Sequence, residues 1–451
     1  MRLFTKSLRE NPWGERVARI LAASLKAVDP AVGVQRHLTR QGNTLTLSDM
    51  TYNLNDYQRV FLIGIGKACL PMAQAAAEIL GDDLTEGILI PKADPALSIP
   101  SLPASVQVYP AGHPVPDHRG VAATHKVIAL LENTQADDLV LILISGGGSA
   151  LLTAPVEGVS LEDLQSLNHA LLACGATIQE INTIRKHLSR VKGGQLAKLA
   201  APAAMLTLIL SDVISDPLDA IASGPTVPDP TTFETADCIL KRYNLAPRLP
   251  ASVITHLQYG FHAQVPETPK KLPLSPKNII IGNNLMAARA GLRAAQKEGF
   301  QAQILTTSLH GEARGVGGVL GAILRQMAAT GEPLPRQACV IAGGETTVTI
   351  GESSGFGGRN LELALSAVED LANCPNVALI SLATDGDDGP TDAAGAVVTG
   401  QTLARAKERN LFPNDFLSRH DAYFFFEPLG DLLKPGHTGT NVNDLNFLFT
   451  F

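Results

Sequence analysis

Two glycine-rich segments combine residue types that bind anions. Gly64-Ile65-Gly66-Lys67 ends the apolar run 60–66, and Ser145-Gly146-Gly147-Gly148-Ser149 follows the apolar run 139–144. A glycine turn that opens a helix presents backbone N–H groups to an anion, and a neighbouring lysine adds a positive charge. Successive glycines also let the backbone approach a phosphate closely. The segments therefore predict a phosphate-binding site, with a purely structural turn as the alternative, and the candidate residues are Gly66, Lys67, Ser145, Gly146, Gly147, Gly148 and Ser149.

Acidic residues follow two further apolar runs. Asp212 comes after the run 204–210 and Asp385 comes after the run 377–383, and more carboxylates follow each of them. Magnesium and other hard divalent cations prefer carboxylate and water oxygens, often one or two carboxylates together with substrate phosphates. Aspartates are also common in turns, so a turn is the alternative for each cluster alone. Together the clusters predict Asp212 and Asp385 as metal ligands and as part of the binding site.

Positively charged side chains occur in two other segments. In the segment 183–196, a solvated helix face is the alternative to a binding role. Arg359 follows two glycines, and its planar guanidinium suits the charge of a transferring phosphoryl group, with a structural ion pair as the alternative. The cations of the first segment are Arg185, Lys186, Arg190 and Lys192, with His187 among them. Polar residues near other glycines complete the candidate set, and they are Asn283, Glu345, Thr440 and Asn441.

These groups favour phosphoryl transfer over other reaction classes. Phosphoryl transfer depends mainly on positioning and electrostatic stabilisation, which glycine loops, cations and carboxylates supply. A nicotinamide-binding GxGxxG fingerprint would need glycine at position 69, where the chain has Cys69. There is no Walker A motif in the sequence, and GGGSA lacks the GxSxG spacing of hydrolases.

The composition argues against several classes of partner. The chain has 451 residues and a net charge of −7, so it lacks the concentrated basic surface that nucleic acid or an anionic membrane requires. Its five cysteines are scattered and never spaced as CxxC, which disfavours disulfides and zinc and predicts a reducing compartment. No apolar stretch is long enough to span a membrane. We expect a cytoplasmic protein that binds small molecules, and the sequence leaves open whether it forms a homodimer.

The order of the apolar runs predicts an α/β fold with two domains. Strand and helix patterns alternate over residues 60–210, which is typical of a Rossmann-like, doubly wound, mostly parallel sheet. A proline-rich segment, 245–277, then interrupts the rhythm before a second βα series. We therefore predict an N-terminal domain over 1–250, a linker over 245–277 and a C-terminal α/β domain over 277–451. In such sheets ligands bind beyond the carboxyl ends of the strands, where the candidate loops lie.

Motifs along nearly the whole chain match one known family. They are GIGKA (64–68), GHPVPD (112–117), ISGGGSALL (144–152), TIRKHLSRVKGGQLA (183–197), LSDVISDPLDAIASGPTVPD (210–229), GGETTV (343–348), GGRN (357–360), ATDGDDGPTDAAGA (383–396) and GTNVNDL (439–445). In this set the chain resembles the class II glycerate kinases, whose C-terminal domain is called MOFRL. Some members of that family are labelled hydroxypyruvate reductase.

The resemblance implies an ATP-dependent kinase, assisted by Mg²⁺ or another divalent cation, that converts D-glycerate to 2-phosphoglycerate in most members. It also implies two α/β domains, the second containing MOFRL, with the active site in the cleft between them. By motif position, Lys67 and Arg359 match the proposed catalytic pair, and the SGGGS loop matches part of the cradle for the nucleotide phosphates. An NAD(P)H-dependent hydroxypyruvate reductase and a non-catalytic protein that binds sugar acids or nucleotides remain the alternatives.

The chain departs from the family pattern after GGRN. The family commonly continues with Gln-Glu, whereas this chain has Leu361-Glu362. The loss of an amide beside Arg359 predicts either a changed hydrogen bond or only a repacked helix. A milder departure is Ser215-Asp216-Pro217, where the family has a Gly-Asp-Pro-like step.

Overall fold

The computed structural model describes residues 3–95, 98–351 and 355–451 of the chain. It divides into two compact units. The first unit is Pro30–Ile281, and the second unit joins Met1–Asp29 to Gly282–Phe451. Each unit is built on its own six-stranded sheet, so the predicted two-part α/β architecture is confirmed.

The described residues form strands and helices that we number in chain order. The strands are β1 Leu38–Gln41, β2 Thr44–Leu47, β3 Met50–Asn53, β4 Arg59–Ile65, β5 Leu84–Ile90, β6 Val106–Val108, β7 Asp138–Ile144, β8 Ala204–Leu210, β9 Lys277–Gly282, β10 Gln301–Leu309, β11 Ala338–Gly344, β12 Val377–Ala383, β13 Gly395–Thr399, β14 Leu432–Leu433 and β15 Asp444–Thr450. The α-helices are α1 Lys6–Glu10, α2 Gly14–Ala27, α3 Pro30–His37, α4 Cys69–Leu80, α5 His118–Leu131, α6 Gly148–Leu151, α7 Leu161–Ala173, α8 Ile178–His187, α9 Gln195–Ala200, α10 Phe233–Arg242, α11 Ala251–Phe261, α12 Asn284–Lys297, α13 Ala313–Thr330, α14 Arg359–Ser366, α15 Thr402–Lys407, α16 Pro413–Leu417 and α17 Ala422–Phe426.

The sheet of the first unit has the order β6-β5-β4-β7-β8-β9. The strands from β6 to β8 pair in parallel, and the register places Ile65 at the end of β4 opposite Ile144 at the end of β7. Every residue of β7 is buried, as expected for a parallel strand that helices cover on both faces. The predicted doubly wound sheet is therefore confirmed, and its two central strands end side by side.

Aliphatic side chains join the helices to this sheet. Ile63 and Ile142 share one core with Val127 of α5 and Leu196 of α9. Burial of each such side chain contributes about 1.5–3 kcal/mol to folding. Because these contacts hold both central strands against the same helices, the loops that leave the strand ends start from fixed points.

The sheet of the second unit is mixed, with the order β10-β11-β15-β12-β13-β14. β10 and β11 are parallel, whereas β15 runs antiparallel between β11 and β12. The sequence predicts β10, β11 and β12 as a βα series, but it does not predict that the C-terminal strand β15 inserts between them. The aromatic side chains Phe447 and Phe449 of β15 are fully buried, so the last strand completes the core of this sheet.

The predicted N-terminal domain boundary is wrong for the first helices. α1 and α2 belong to the second unit rather than to the first. The apolar residues Ile20 and Leu21 of α2 are fully buried, and a Cβ atom on Gly291 of α12 would overlap Ser24. The apolar face of α2 therefore needs α12 as its cover, and a glycine lets the two helices approach closely.

The predicted linker over 245–277 and the predicted start of the second domain at 277 are also wrong. The proline-rich segment packs within the first unit, where the Asp229 N–H donates to the Pro269 carbonyl at 2.9 Å. β9, which follows this segment, lies beside β8 in the first sheet. The chain therefore leaves the first unit at Ile281, because β9 is the last strand of that sheet.

Two smaller features complete the fold. β1, β2 and β3 form a separate antiparallel sheet, which was not predicted from the sequence. Among the helices of the described ranges, none combines the length and the apolar character needed to cross a bilayer.

Candidate functional site

The two predicted anion-binding loops meet at the ends of the central strands of the first sheet. The Lys67 N–H donates to the Gly146 carbonyl at 2.9 Å, and the Ser145 N–H donates to the Ile65 carbonyl at 2.9 Å. The Ala68 N–H donates to Ser145 Oγ at 3.0 Å. These bonds hold the GIGK loop and the SGGGS loop as one piece of backbone, directly beside the N-terminus of α4.

Glycine is required at this junction because the backbones approach so closely. Gly66 has a φ of +117°, and a Cβ atom there would overlap Ser145. A Cβ atom on Gly146 would overlap the Asp212 carboxylate. Gly147 has a φ of +84°, in the left-handed region that favours glycine. The structure therefore brings the predicted residue Asp212, at the end of β8, against the glycine loop.

Backbone donors of the SGGGS loop are left available for a ligand. Among the described residues, the N–H groups of Gly146, Gly147 and Ser149 find no hydrogen-bond acceptor. Over the same ranges, Lys67 Nζ makes neither a hydrogen bond nor an ion pair, and the Lys67 side chain is exposed. Unpaired N–H groups beside a free ammonium are the elements of an anion site.

His113 is a residue of this site that the sequence analysis did not single out. A Cβ atom on Gly147 would lie 2.9 Å from His113 Cδ2 and 3.5 Å from Lys67 Cγ, so both side chains flank the same glycine. Burial, reinforced by the positive charges of Lys67 and Lys92, lowers the pKa of the His113 imidazole to about 4. Its signal in the sequence is the motif GHPVPD (112–117), in which His113 is the second residue.

The lowered pKa of His113 has a defined effect on stability. Because the ordinary pKa of about 6.5 lies above the folded value, the unfolded chain binds a proton first as the pH falls. The contribution of His113 to stability is therefore complete above about pH 6.5 and is lost as the pH falls towards 4. Near neutral pH the imidazole is uncharged.

Ser149, at the end of the glycine loop, is held by a chain of hydroxyl and amide groups. Its Oγ lies 2.7 Å from Ser223 Oγ, and Ser223 donates to Asn182 Oδ1 at 3.0 Å. Ser223 adopts a φ of 62°, which is uncommon for a residue other than glycine. Because the Ser149 hydroxyl is already engaged, its backbone N–H is the better candidate for ligand contact.

In the basic segment 183–196, Arg190 faces solvent but the lysines do not. Arg190 is exposed, but the side chains of Lys186 and Lys192 are almost completely buried. Lys186 Nζ lies 3.2 Å from Asp219 Oδ2 and 3.3 Å from Asp229 Oδ1. The solvated-face alternative is therefore wrong for both buried lysines, and helical periodicity alone does not reveal which face of α8 packs inward.

Arg359 in the second unit makes the ion pair that was the alternative to a catalytic role. Its Nε and Nη2 donate to the two oxygens of Asp444 at 2.6 and 3.1 Å. Its Nη1 donates to Glu345 Oε1 at 2.6 Å. Burial raises the pKa of the Asp444 carboxyl, while the charge of Arg359 opposes that rise. The catalytic role of Arg359 stays a prediction.

The residue after this motif explains the departure from the family pattern. Leu361 is fully buried in the apolar core of the second unit, and its backbone N–H donates to Asp388 Oδ2 at 2.8 Å. Burial raises the pKa of the Asp388 carboxyl to about 7, and the charge of Asp444 adds to the rise. The leucine side chain therefore packs in the core at this position.

The remaining predicted residues of the second unit have local contacts. Asn283 caps α12, because its side chain accepts from the Met286 N–H at 2.8 Å. The Thr440 hydroxyl donates to the Val28 carbonyl at 2.6 Å and so ties this loop to the end of α2. Further contacts of the same kind join Asn441 Oδ1 to the Asn443 N–H at 3.1 Å and Asp385 Oδ1 to the Asp387 N–H at 3.4 Å. Binding roles for these residues stay predictions.

A metal site with several protein ligands is absent from the described residues, where no group of three or more His, Cys, Asp or Glu side chains could hold a metal ion. Asp212 belongs to the first unit and Asp385 belongs to the second. Their roles as metal ligands stay predictions.

N–H groups left uncovered by glycine, beside a free lysine at the carboxyl edge of a parallel sheet, are typical of α/β proteins that bind anions. Residues 16–258 match the family described as domain of unknown function (DUF4147), and residues 338–444 match the MOFRL family. The chain is 40% identical over 427 residues to glycerate 2-kinase from Pyrococcus horikoshii, which covers 95% of each protein.

Further similarity extends to a solved structure. The chain is 43% identical over 387 residues to D-glycerate 2-kinase from Thermotoga maritima, covering 86% of this chain and 89% of that protein. The crystal structure of glycerate kinase from Thermotoga maritima matches with a TM-score of 0.86 and 40% identity, covering 98% of this chain and 100% of that one. The chain belongs to this glycerate kinase family, with its DUF4147 and MOFRL regions.

The placement of Lys67 beside His113 can be tested by titration. We expect the substitution Lys67→Met to raise the pKa of His113, because it removes one of the two positive charges that lower it. The pKa is measured from the imidazole signals in an NMR pH titration. The control is Lys198→Met, which removes an exposed lysine, and it should leave the pKa of His113 unchanged. An unchanged value in Lys67→Met would contradict this geometry.

Proposed function

We propose that this protein transfers the γ-phosphoryl group of ATP to the 2-hydroxyl of D-glycerate, giving 2-phosphoglycerate. The proposal is supported by the glycerate 2-kinases that the chain resembles over most of its length. The structural observation that carries it is the set of unpaired N–H groups at Gly146, Gly147 and Ser149 beside the free ammonium of Lys67.

The glycine loop binds and orients the phosphates of the nucleotide. Three N–H donors without acceptors cost about 1–3 kcal/mol each if they remain unpaired in a buried site, so phosphate oxygens satisfy them favourably. Glycine leaves no side chain above this part of the loop, which lets the phosphate approach the backbone. Donors fixed before the reaction stabilise charge in the transition state without reorganisation.

Lys67 neutralises the phosphoryl group that moves. Its backbone is fixed by the bond to the Gly146 carbonyl, while its side chain is exposed and unpaired among the described residues. His113, which is uncharged near neutral pH, packs beside Lys67 without competing for the phosphate as a second cation. Lysine acts here as a point charge, as it does in other phosphate sites.

The residues of this site supply some of the ligands that a divalent cation needs. Mg²⁺ commonly takes one or two carboxylates and completes its shell with substrate phosphates and water. Asp212, which lies against Gly146, is the residue of the first unit that would hold it, while the role of Asp385 as a metal ligand stays a separate prediction. When bound, such a cation would supply charge neutralisation at the phosphates.

A nicotinamide-dependent reductase is not favoured. The position of the third fingerprint glycine is Cys69, which is fully buried at the start of α4. The side chain of Cys69 stands where that fingerprint relies on glycine for close helix–strand packing.

The proposed reaction is tested by identifying its product. The protein is incubated with ATP, Mg²⁺ and D-glycerate, ADP release is followed, and the phosphoglycerate is identified by phosphorus NMR. We expect ADP release that depends on D-glycerate and a product that is 2-phosphoglycerate. Release of 3-phosphoglycerate would refute the assigned position, and no turnover with any divalent cation would refute the kinase. L-Glycerate and hydroxypyruvate with NADH serve as controls.

A test of Arg359 must separate the loss of catalysis from the loss of stability that follows when its ion pair is broken. Arg359→Met alone should lower the free energy of unfolding by about 3–5 kcal/mol, since it leaves the buried Asp444 carboxylate without its partner. In an Asp444→Asn background the carboxylate that loses Arg359 is that of Glu345, which is partly exposed to solvent, so Arg359→Met should cost much less stability there. If Arg359 acts on the phosphoryl group, kcat still falls about 100-fold or more between the Asp444→Asn single variant and the double variant. Equal kcat in these two variants, measured beside chemical denaturation, would assign Arg359 a structural role.

A further inference from the structure

Two cations of the first unit, Lys192, which is buried, and Arg185, which is partly buried, lie against the end of the glycine loop and share one acceptor. Arg185 Nη2 donates to the Ser149 carbonyl at 3.2 Å, and Lys192 Nζ donates to the same oxygen at 2.8 Å. Lys192 Nζ also donates to the Leu152 carbonyl at 2.6 Å. Every acceptor in this set is a neutral backbone oxygen.

Lys186, the residue after Arg185, has carboxylate partners that Arg185 and Lys192 lack. Lys186 lies within ion-pair distance of two carboxylates, those of Asp219 and Asp229. Among the described residues, neither Arg185 nor Lys192 forms an ion pair with any carboxylate. A buried and a partly buried positive charge therefore lie side by side without a counter-charge, although buried charges in proteins are normally paired.

The pKa values of both groups reflect the energetic cost of this arrangement. Burial, together with the charge of Arg185, lowers the pKa of the Lys192 ammonium well below its ordinary value. Burial alone lowers the pKa of the Arg185 guanidinium to about 10. Both groups would thus gain from a negative charge placed between them.

A small cavity opens beside these two cations. Its volume is about 20 Å³, and its lining includes Pro116, Thr153, Asn168, Arg185, Ser189 and Lys192. A cavity of this size holds a water molecule or one small polar group. Pro116 comes from the GHPVPD motif, and Ser189 comes from the basic segment, so residues from separate motifs converge on this cavity.

Two other polar groups of the cavity are incompletely satisfied. Ser189 Oγ accepts from the N–H groups of Val191 and Lys192 at 3.2 and 3.3 Å, and within the described ranges its own hydrogen has no acceptor. Asn168 Oδ1 is buried without a hydrogen-bond partner there. A half-turn of the Asn168 amide would exchange this oxygen for an N–H donor.

We propose that Arg185 and Lys192 form a binding site for one oxyanion group, a carboxylate or a phosphate, beneath the SGGGS loop. The anion supplies the missing counter-charge, takes the hydrogen of Ser189, and places one of its oxygen atoms in the small cavity. The two sources of such a group are the carboxylate of the sugar-acid substrate and a phosphate of the nucleotide. The choice between these sources depends on the proposed function, whereas the presence of the site does not.

The site would also couple ligand binding to the glycine loop. Both cations already hold the Ser149 carbonyl, and Ser149 ends the loop whose N–H groups are unpaired. An anion between the cations would fix them in place, and the loop with them. This distinguishes the site from a purely structural clamp, in which the two cations would hold Ser149 equally well without any anion.

The test compares anion affinities in variants of the full chain. Dissociation constants for inorganic phosphate, D-glycerate and a non-hydrolysable ATP analogue are measured by isothermal titration calorimetry, with the ionic strength held constant by sodium MES. The variants are Arg185→Gln and Lys192→Gln, and Arg185→Lys keeps the charge. The matched control is Arg190→Gln, which removes an exposed cation from the same segment.

We expect Arg185→Gln and Lys192→Gln each to weaken binding of at least one probe tenfold or more. Arg190→Gln should bind like the unaltered chain, and Arg185→Lys should recover most of the affinity. A loss confined to D-glycerate assigns the carboxylate, and a loss confined to phosphate and the ATP analogue assigns the nucleotide.

Two results would overturn the proposal: unchanged affinities for all three probes in whichever of the two variants folds, or no binding of any probe to the unaltered chain. A kinase that turns over with unchanged anion affinities would refute this site while leaving the proposed function intact. Anion binding that depends on Arg185 without any turnover would refute the function and leave the site.

Discussion

The close approach of two backbone segments at the ends of β4 and β7 is the constraint on which the candidate site depends. Parallel register places Ile65 beside Ile144, so the residues that follow, Gly66-Lys67 and SGGGS, must share the same small space. Glycine at 66 and 146 is the sterically acceptable residue there, because a Cβ atom would overlap Ser145 or Asp212. The same closeness that excludes side chains leaves N–H groups uncovered, and this is what makes the junction suitable for an anion.

The cationic side chains of the two units fall into two classes with different physical roles. Lys186 is buried and Arg359 is partly buried, and both are paired with carboxylates, so their charges are neutralised within the protein. Lys67, Arg185 and Lys192 have no such partner among the described residues. Because an unpaired cation in or near a low-dielectric interior favours the arrival of an anion, this second class marks the places where a phosphate or carboxylate gains most from binding.

The sequence predicts the parallel core well because long apolar runs that end in glycine are typical of strands buried on both faces. It also predicts the meeting of Lys67, the SGGGS loop and Asp212, since the carboxyl ends of parallel strands share one edge. It does not predict β15 or the packing of α2, because both depend on contacts between residues that lie far apart in the chain. The sequence does not predict the burial of Lys192, and it leaves the ion pair of Arg359 as one of two alternatives, since residue type and spacing do not reveal what lies opposite a side chain.

The claim that Lys67 acts on the moving phosphoryl group is central, and steady-state kinetics of Lys67→Met test it most directly. The Lys67 side chain is exposed, so the substitution should change the free energy of unfolding by only about 0.5 kcal/mol. We expect kcat to fall about 100-fold or more, while Lys198→Met, at another exposed lysine, keeps full activity. A Lys67→Met protein that is folded and retains the kcat of the unaltered chain would contradict the account.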